Sequence, residues 1–280
     1  MIWLTILLGA VILLAGLWIF AIAGRKSPRM EQFRANDYAH RGLHQAPDRP
    51  ENSMAAFRAA FQHKFGVELD VHLLKDGGLA VIHDSPLVRT TGAAGKIEDL
   101  VTEELKNYPL EGTKETIPTL REVLELHKTT DLPLLIELKP AGGNHAALCR
   151  ALCAMLEEYP DGKFLIESFD PRCLLWLKKH RPDILRGQLA QNFIKHPSGQ
   201  PRILDFVLTA LVLNLATRPD FVAYKFADRK DLPFQIYRKV WKLPAACWTI
   251  DTPADYAAAK KDGQTPIFEK FLPGDGISSR

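Results

Sequence analysis

Two carboxylates on one face of a predicted strand form a pattern in the sequence that could carry chemistry. Apolar and polar residues alternate strictly from Gly66 to His72. Because side chains along a β-strand point alternately to its two faces, Glu68, Asp70 and His72 share one face. Acidic residues are rare in strands and costly to bury unless a cation compensates them. The pattern is therefore typical of either a solvated strand face or a site for a metal ion or basic side chains.

Residues of catalytic type also follow three further strand-like segments, which carry His40-Arg41, His83-Asp84 and Glu137-Leu138-Lys139. Three carboxylates suit a hard divalent cation, Mg²⁺ or Ca²⁺, better than zinc. Two imidazoles can transfer protons near neutral pH, while Arg and Lys can bind a phosphate. The set indicates metal-assisted phosphodiester cleavage. Taken singly, each residue is also typical of a structural histidine, an ordinary ion pair or a loop cap.

The elements that must position these residues alternate between strand and helix. Strand patterns lie at 37–40, 66–72, 79–83, 132–138, 164–168, 184–189, 221–226 and 245–250, and helical patterns at 53–63, 120–128, 146–158 and 171–181. About eight such alternations over roughly 245 residues predict an α/β fold, a (β/α)8 TIM barrel, with a doubly wound open sheet as the alternative. In a barrel all strands end at one face, where the candidate residues would converge.

One segment interrupts this repeat after the third predicted strand. The region between Asp84 and Pro118 is too long and irregular for one helix and contains several Gly and Pro residues. We therefore predict a small insertion over about residues 85–118.

The first residues of the chain differ from the rest because Ile2 to Gly24 contains no charged residue. As a helix rising about 1.5 Å per residue, this segment is long enough to cross a bilayer. We predict a transmembrane helix over 1–24, a basic linker over 25–35 and the barrel over 36–280. A cleaved signal peptide is the alternative, because Ala21-Ile22-Ala23 resembles a cleavage site.

The basic residues after the apolar segment bear on the orientation of the domain. Arg25, Lys26, Arg29 and Arg34 follow it closely. The positive-inside rule then favours a single-pass protein with a cytoplasmic domain over one with an extracytoplasmic domain.

Composition limits the remaining functions. The net charge of +3 is small, and without a dense basic tract the sequence does not predict nucleic-acid binding. The four cysteines form no zinc-type pairs and are expected to be reduced structural thiols. An apolar segment from Ile203 to Leu215 is too short to span a bilayer. It is typical of a buried barrel helix, or of a lipid-facing or acyl-binding surface near the mouth of the site.

Seven motifs in a fixed order resemble the glycerophosphodiester phosphodiesterase family, densest in the first half of the region from about Tyr38 to Ile250. They are His40-Arg41-Gly42, Pro50-Glu51-Asn52-Ser53, the segment Glu68 to Gly77, the segment Val81 to Asp84, Arg89-Thr90-Thr91-Gly92, Ile117-Pro118-Thr119-Leu120 and Glu137-Leu138-Lys139. The resemblance implies a TIM barrel with an inserted subdomain at 85–118.

The same resemblance implies roles for individual residues. One divalent cation would be held by Glu68, Asp70 and Glu137, with Glu51 as a further ligand. The remaining implied roles are acid/base catalysis by His40 and His83, phosphate binding by Arg41 and Lys139, and pocket lining by Gln188 and Trp248. His72 has no role implied by the resemblance and is left out of the site.

The implied activity is hydrolysis of a small-molecule glycerophosphodiester to sn-glycerol 3-phosphate and an alcohol. A lysophospholipase D activity on acyl-bearing lysophospholipids is a second possibility, favoured by the N-terminal helix and the apolar segment. A catalytically silent, membrane-tethered barrel acting as a binding module is the third.

Overall fold

The computed structural model describes residues 1–274, so the end of the predicted barrel domain, 275–280, lies outside the described residues. Eight parallel strands close into a barrel because the first strand pairs with both the second and the last. They are β1 (Tyr38–Ala39), β2 (Gly66–Leu73), β4 (Leu134–Leu138), β5 (Phe164–Ser168), β6 (Leu185–Ala190), β7 (Phe221–Lys225), β8 (Ala245–Ile250) and β9 (Thr265–Phe268). The predicted (β/α)8 barrel is confirmed, and the open sheet is wrong.

Helices cover the outside of this barrel. Several begin where the sequence offers a cap: the Ser53 hydroxyl accepts a hydrogen bond from the Ala56 amide, and Thr119 and Glu122 form a capping box. Two helices, α1 (Ile2–Ala21) and α2 (Glu31–Arg34), precede the first strand. The later helices are α3 (Met54–Gln62), α4 (Val88–Thr91), α5 (Leu120–His127), α6 (His145–Glu157), α7 (Pro171–His180), α8 (Arg202–Thr209), α9 (Asn214–Thr217), α10 (Leu232–Gln235) and α11 (Pro253–Lys261). Helix α10 continues into a π-helical turn at Ile236–Val240.

The third strand, β3 (Leu79–Val81), is not one of the barrel strands. It runs antiparallel to β2 and forms a hairpin with it, with Val71 opposite Val81. The expectation that this segment is the third parallel strand was therefore wrong, because the short turn after β2 leaves no room for the crossover that a parallel strand needs. The irregular region that follows packs on its own apolar cluster, which includes Leu87, Ile97 and Leu105.

The last barrel strand, β9, was not predicted from the sequence. It is only four residues long and contains Pro266, which is unfavourable in most strands. Its backbone nevertheless pairs with β1 and β8, and Ile267 and Phe268 are buried. This strand brings the end of the domain next to His40.

The N-terminal segment consists of α1 (Ile2–Ala21), a 3-10 turn at Pro28–Met30 and α2 (Glu31–Arg34). By length and composition α1 could cross a membrane, with a mean hydropathy of 2.6 in its most apolar window. The residues predicted as a basic linker are not an extended tether. Met30 and Phe33 are buried against Tyr38, Leu135 and other side chains at the amino ends of the strands.

The apolar segment 203–215 folds as α8 and the start of α9, and it is only partly buried. Ile203 is 71% exposed and Phe206 is 58% exposed, whereas Leu211 is buried. A fully buried barrel helix is therefore not what the structure contains. The four cysteines are buried free thiols, as predicted.

Candidate active site

The register of three neighbouring strands brings the acidic residues together. Asp70 on β2 lies opposite Glu137 on β4, and Glu137 lies opposite Glu167 on β5. Glu68 belongs to the same group: carboxylate oxygens of Glu68, Asp70 and Glu137 all lie within 4.8 Å of one another. All of these side chains are buried. The pair of carboxylates predicted on β2 is thus joined by a third carboxylate, Glu137, from the neighbouring strand β4.

Crowding and burial change the proton affinity of this cluster. Burial, with the neighbouring charges of Asp70 and Glu137, raises the pKa of Glu68 well above its ordinary value. Burial and Asp70 also raise the pKa of Glu137 to about 7, against the opposing effect of Lys139. Burial raises the pKa of Asp70 too, but Lys139, His83 and Arg41 more than reverse this and lower it. The cluster therefore binds protons unless another cation takes their place.

Two basic side chains border the carboxylates. Lys139 Nζ lies 2.7 Å from Glu137 Oε1 and 3.1 Å from Asp70 Oδ1. Arg41 donates its backbone N–H to Glu68 Oε2 at 2.9 Å and its guanidinium Nη1 to Glu51 Oε1 at 2.9 Å. Both side chains line the same pocket, so a bound anion could reach them.

The turn after β1 is shaped to point Arg41 inwards. Arg41 adopts a left-handed φ of 54°, and Gly42 follows with a φ of 80°. A Cβ at Gly42 would lie 2.8 Å from the Ala56 Cβ, so the close approach of α3 requires glycine here. Asn52, also left-handed, donates its side-chain N–H to Asp70 Oδ2 at 2.8 Å. The motif around Asn52 thus orients a cluster carboxylate.

Each of the two candidate histidines is held through Nδ1 by a carboxylate. His40 Nδ1 lies 2.7 Å from Glu269 Oε2, and His83 Nδ1 lies 2.6 Å from Asp84 Oδ1. Both imidazoles line the pocket. An Nδ1–H donated to a carboxylate leaves Nε2 as the free, basic nitrogen.

Burial lowers the pKa of both imidazoles. For His83 it combines with the positive charges of Lys139 and Arg41 to bring the pKa to about 4. For His40 the direction is the same, although Glu269 opposes it. The His83 ring is therefore neutral at pH 7 and able to accept a proton.

His72 lies outside the pocket, in agreement with its exclusion from the predicted site. Its Nδ1 is 2.7 Å from Glu98 Oε1, and its Nε2 is 3.1 Å from the backbone oxygen of His83. Through that second contact it supports the segment that carries His83.

Of the two residues predicted to line the pocket, Trp248 does so and Gln188 does not. Trp248 lines the pocket, donates its indole N–H to the Ala223 carbonyl at 3.1 Å and packs edge-on against Phe169. Gln188 is buried and donates to backbone carbonyls at the ends of β5 and β6, including that of Ser168. It is not among the residues that line the pocket.

Glu51, predicted as a further metal ligand, is not brought into the carboxylate cluster. Its Oε1 accepts hydrogen bonds from Arg41 at 2.9 Å and Arg89 at 2.6 Å, and its Oε2 accepts one from Arg89 at 2.9 Å. A contact with a cation at the cluster would require Glu51 to leave these arginines.

Three residues of the site were missed in the sequence. Glu167 is buried beside Glu68 and Glu137, and burial with these charges raises its pKa well above the ordinary value. Glu167 is an acidic residue inside a predicted strand, as Glu68 and Asp70 are, which was a usable signal. Glu269 follows the unpredicted strand β9, and Phe169 follows β5, so neither had a recognisable motif.

A small pocket of about 70 Å³ lies over the cluster, lined by His40, Arg41, Glu68, His83, Glu137, Lys139, Glu167, Phe169, Leu189, Trp248, Thr249 and Ile267. A larger groove of about 770 Å³ adjoins it and shares Phe169. Leu204 and Leu208 of α8, with Phe193, supply apolar side chains to this groove.

The donor set fits a hard divalent cation. Three oxygen ligands from Glu68, Asp70 and Glu137 converge within 4.8 Å. Their mutual repulsion, which raises the pKa of Glu68 and Glu137, is what a divalent charge would relieve. Carboxylates without thiolates or a coordinating imidazole in this group are typical of Mg²⁺ or Ca²⁺.

Comparison with known proteins agrees with this chemistry. The model of the glycerophosphoryl diester phosphodiesterase family matches residues 40–269. A glycerophosphodiester phosphodiesterase of Caldanaerobacter subterraneus subsp. tengcongensis is 37% identical over 168 residues, covering 57% of this chain and 68% of that protein. Human glycerophosphodiester phosphodiesterase 1 is 28% identical over 246 residues, covering 78% of this chain and 72% of that protein.

A solved structure is also similar. A phosphodiesterase of Oleispira antarctica, in complex with the product sn-glycerol-3-phosphate, superimposes with a TM-score of 0.68 at 26% identity, covering 84% of this chain and 92% of that one. These relatives are named as enzymes, which favours a hydrolase over a catalytically silent binding barrel. The chain belongs to the glycerophosphoryl diester phosphodiesterase family and is a phosphoric diester hydrolase.

Proposed function

We propose that this enzyme hydrolyses glycerophosphodiesters to sn-glycerol 3-phosphate and an alcohol, with one divalent cation and two catalytic histidines. The observation that carries the proposal is the single pocket that brings together a buried carboxylate cluster, two imidazoles and two basic side chains. The named activities of the relatives, and the product bound in the Oleispira antarctica enzyme, support the substrate class.

Glu68, Asp70 and Glu137 would hold the cation, Mg²⁺ or Ca²⁺. When bound, such a cation supplies Lewis-acid activation of a phosphoryl oxygen and a template for the substrate. Arg41 and Lys139 are the groups that bind the remaining phosphate charge, because both border the pocket beside the cluster. Trp248 provides an apolar wall for the glycerol or the head group. Gln188 supports this wall from behind through its contacts with the ends of β5 and β6.

Protons are moved by His40 and His83. One imidazole enters the step neutral and takes the proton of the nucleophile at Nε2. The other carries a proton on Nε2 when the anionic phosphodiester is bound, because that negative charge raises its pKa, and it donates this proton to the departing alcohol. Glu269 and Asp84 fix the two rings through Nδ1, so that proton transfer takes place at Nε2. The nucleophile is either water or the glycerol 2-hydroxyl, which would form a cyclic phosphate that water then opens.

A panel of glycerophosphodiesters, assayed with EDTA and then with Mg²⁺, Ca²⁺ or Mn²⁺ restored, tests the proposal. We expect sn-glycerol 3-phosphate to be released only when a divalent cation is present. Release of the nucleoside or phosphomonoester products of another diester class, with no turnover of any glycerophosphodiester, would overturn the substrate assignment. Equal rates in EDTA would overturn the metal assignment.

Lysophospholipase D activity is the second candidate, and the groove next to the pocket favours it. The groove is large enough for an acyl chain, and its apolar side chains are Leu204, Leu208, Phe169 and Phe193. It leads away from the pocket that holds Trp248 and the carboxylates, which it adjoins at Phe169. A higher kcat/KM for lysophosphatidylcholine than for glycerophosphocholine would support this activity. Turnover of the deacylated diester alone would exclude it.

We also propose that α1 is a retained, single-pass membrane helix with the domain in the cytoplasm, as the basic residues after it favour. Ile22 is fully buried among barrel side chains, and its carbonyl accepts a hydrogen bond from Asn214 Nδ2 at 2.9 Å. Cleavage at Ala21-Ile22-Ala23 would remove these contacts from the folded domain. The mass of the purified protein tests retention, and protease protection in sealed vesicles distinguishes a cytoplasmic from an extracytoplasmic domain.

A further inference from the structure

The last turn of α1 is fixed to the barrel by specific contacts. Trp18 donates its indole N–H to the Ala210 carbonyl at 3.0 Å, and Trp241 donates its own to the Ile19 carbonyl at 2.8 Å. The buried side chain of Ile22 continues this attachment. Because Trp18, Ile19 and Ile22 are all held, the direction in which α1 leaves the domain is set by the fold.

That direction is towards the mouth of the barrel. Arg25 bonds to the backbone oxygens of Pro182 and Pro219, which precede β6 and β7. Trp18, in contrast, lines a groove with Ile194 and Pro233, which follow the carboxyl ends of the same two strands. The chain therefore runs along the barrel wall from the amino ends of the strands at Arg25 to their carboxyl ends at Trp18.

The rest of α1 leads away from the domain. Residues 2–17 are all exposed. At about 1.5 Å per residue they extend roughly 24 Å beyond Trp18. A bilayer that receives this length of α1 must lie on the same side of the barrel as the pocket.

The rim beside α1 exposes large apolar side chains. They belong to the segments after β6 and β7 and are Ile194 (60% exposed), Ile203 (71%), Phe206 (58%) and Leu232 (61%). Phe206 and Ile194 border the groove of about 390 Å³ that Trp18 closes, so this surface is continuous with the apolar surface of α1. We name these four side chains, with Trp18, the rim patch.

We infer that the rim patch inserts into the bilayer that α1 crosses and holds the mouth of the barrel against the membrane surface. Continuity with α1 identifies the occupant as lipid, because whatever solvates the exposed face of α1 also reaches Phe206 and Ile194. Trp18 lies where interfacial tryptophans are found, at the boundary between apolar and polar surroundings.

This placement affects how a substrate arrives, a consequence that rests on the proposed function. Helix α8 contributes Phe206 to the rim patch. It also contributes Leu204 and Leu208 to the groove beside the catalytic pocket. An acyl-bearing diester could therefore move from the leaflet past α8 to Phe169 while its acyl chain stays in apolar surroundings.

Site-directed fluorescence on the full chain tests the inference without depending on activity. The native cysteines are buried, so single Cys substitutions can be labelled selectively with bimane. Ile203→Cys, Phe206→Cys and Leu232→Cys report on the rim patch. Leu175→Cys, an exposed apolar position on α7, and Asp161→Cys, an exposed turn before β5, are the controls.

The labelled proteins are reconstituted in nanodiscs that contain lipids brominated along the acyl chain. We expect bromolipid quenching at the three rim positions and iodide quenching at the two controls. Iodide quenching at the rim positions equal to that at the controls would overturn the inference. Protection from both quenchers would also overturn it, because it would indicate that a second protein copy covers the patch.

A kinetic comparison separates this inference from the proposed function. Phe206→Ser is expected to slow hydrolysis of lysophospholipid in vesicles several-fold while the rate on a soluble glycerophosphodiester stays unchanged. If the unmodified enzyme hydrolyses both substrates and Phe206→Ser changes neither rate, the membrane contact of Phe206 is refuted and the hydrolase assignment stands. If lysophospholipid is not a substrate, the quenching experiment alone decides the inference. If no diester is hydrolysed by the unmodified enzyme, only the proposed function fails, since the quenching experiment is independent of turnover.

Discussion

The mouth of the barrel has two sides with opposite character. On the side of β1, β2 and β4, buried and half-buried ionisable groups contact one another at hydrogen-bond distance, as in the Lys139–Glu137 and His40–Glu269 pairs. On the side of β6 and β7, short helices expose apolar groups such as Phe206. The strands fix the geometry of the chemistry, while the segments after β6 and β7 determine what approaches it.

The two sides also differ in how a substitution should act. Each group on the charged side touches several others, so removing one leaves a buried partner uncompensated. Side chains on the apolar side contribute through contact area. We therefore expect large losses of activity from the first side and selective losses on acyl-bearing substrates from the second.

The largest effect is expected for the two histidines. General acid/base groups contribute about 10²- to 10⁴-fold, so His83→Ala and His40→Ala should each lower kcat by that range while circular dichroism stays unchanged. His180→Ala, at an exposed position at the end of α7, is the matched control. Near-normal rates for purified His83→Ala on glycerophosphocholine or glycerophosphoglycerol would contradict the assignment.

Glu68→Gln is expected to weaken binding of the divalent cation by about a hundredfold or more. Even mutation of a residue that only supports a metal ligand typically lowers metal affinity by about 10- to 100-fold. Calorimetric titration of Mg²⁺ or Ca²⁺ into the purified protein measures this. Glu167→Gln is the control, since Glu167 is buried beside the cluster but is not one of the three carboxylates whose oxygens converge within 4.8 Å. Equal affinities in the two variants would refute the ligand set.

Cation binding should also depend on pH. Because the pKa of Glu137 is about 7 in the metal-free protein, a bound cation must displace its proton. We expect the affinity to fall roughly tenfold per pH unit below 7 for each displaced proton. Titrations in two buffers of different ionisation enthalpy should show net proton release.

The raised pKa values of Glu68 and Glu137 also affect the stability of the folded protein. A carboxyl whose folded pKa is raised stabilises the protein while it is protonated, and this contribution is lost as pH rises through the folded pKa. The lowered pKa values of His40 and His83 act in the opposite direction, but only below about pH 6.5, the ordinary histidine pKa. In EDTA, the melting temperature should therefore fall between pH 6.5 and pH 8, and added cation should raise the melting temperature more at pH 8 than at pH 6.5. A melting temperature in EDTA that rises over this range would contradict the shifts of Glu68 and Glu137.

Sequence alone predicted the charged side better than the apolar side. Period-two alternation indicates Glu68 and Asp70, the ends of predicted strands indicate Glu137, and the alternation of strands with helices indicates the barrel. The sequence could not reveal β9, because Pro266 disfavours a strand and because β9 forms only when the barrel closes with β1. Glu269 was missed for that reason, since its relation to His40 exists only after the barrel closes.

The apolar side shows a second limit of the sequence. The segment 203–215 is uniformly apolar, so its pattern does not tell which residues face solvent. Packing of α1 against α9 and the segment after α8 decides this, through contacts such as Asn214 with Ile22. The antiparallel β3 was missed similarly, because a hairpin strand and a short barrel strand have the same alternation.

Glu269→Gln tests a positioning role on the charged side. Burial raises the pKa of Glu269, but its hydrogen bond with His40 and the nearby His44 ring, 3.5 Å away, more than reverse this and lower the pKa, so Glu269 is ionised. Loss of this charge lowers the pKa of His40. We expect kcat to fall about tenfold and the limb of the pH–rate profile that reports His40 to move to lower pH. A purely structural role would reduce the rate without moving that limb.

Leu208→Gln is expected to have the smallest effect and the most selective one. Loss of one apolar contact should lower kcat/KM for a lysophospholipid several-fold, because Leu208 is half-buried and burial of apolar surface is worth only about 25 cal/mol per Å². The value for the deacylated diester should not change. Equal losses on both substrates would mean that the groove supports the pocket itself rather than an acyl chain.

Hydrolysis of glycerophosphocholine in oxygen-18 water, followed by ³¹P NMR, tests the central claim most directly. With a divalent cation present, we predict that the heavy oxygen enters the phosphate of sn-glycerol 3-phosphate and that choline is released unlabelled. In EDTA, or in His83→Ala, the labelled product should be absent or formed far more slowly. Heavy oxygen in choline, or undiminished labelling in EDTA, would contradict metal-assisted attack at phosphorus in this pocket.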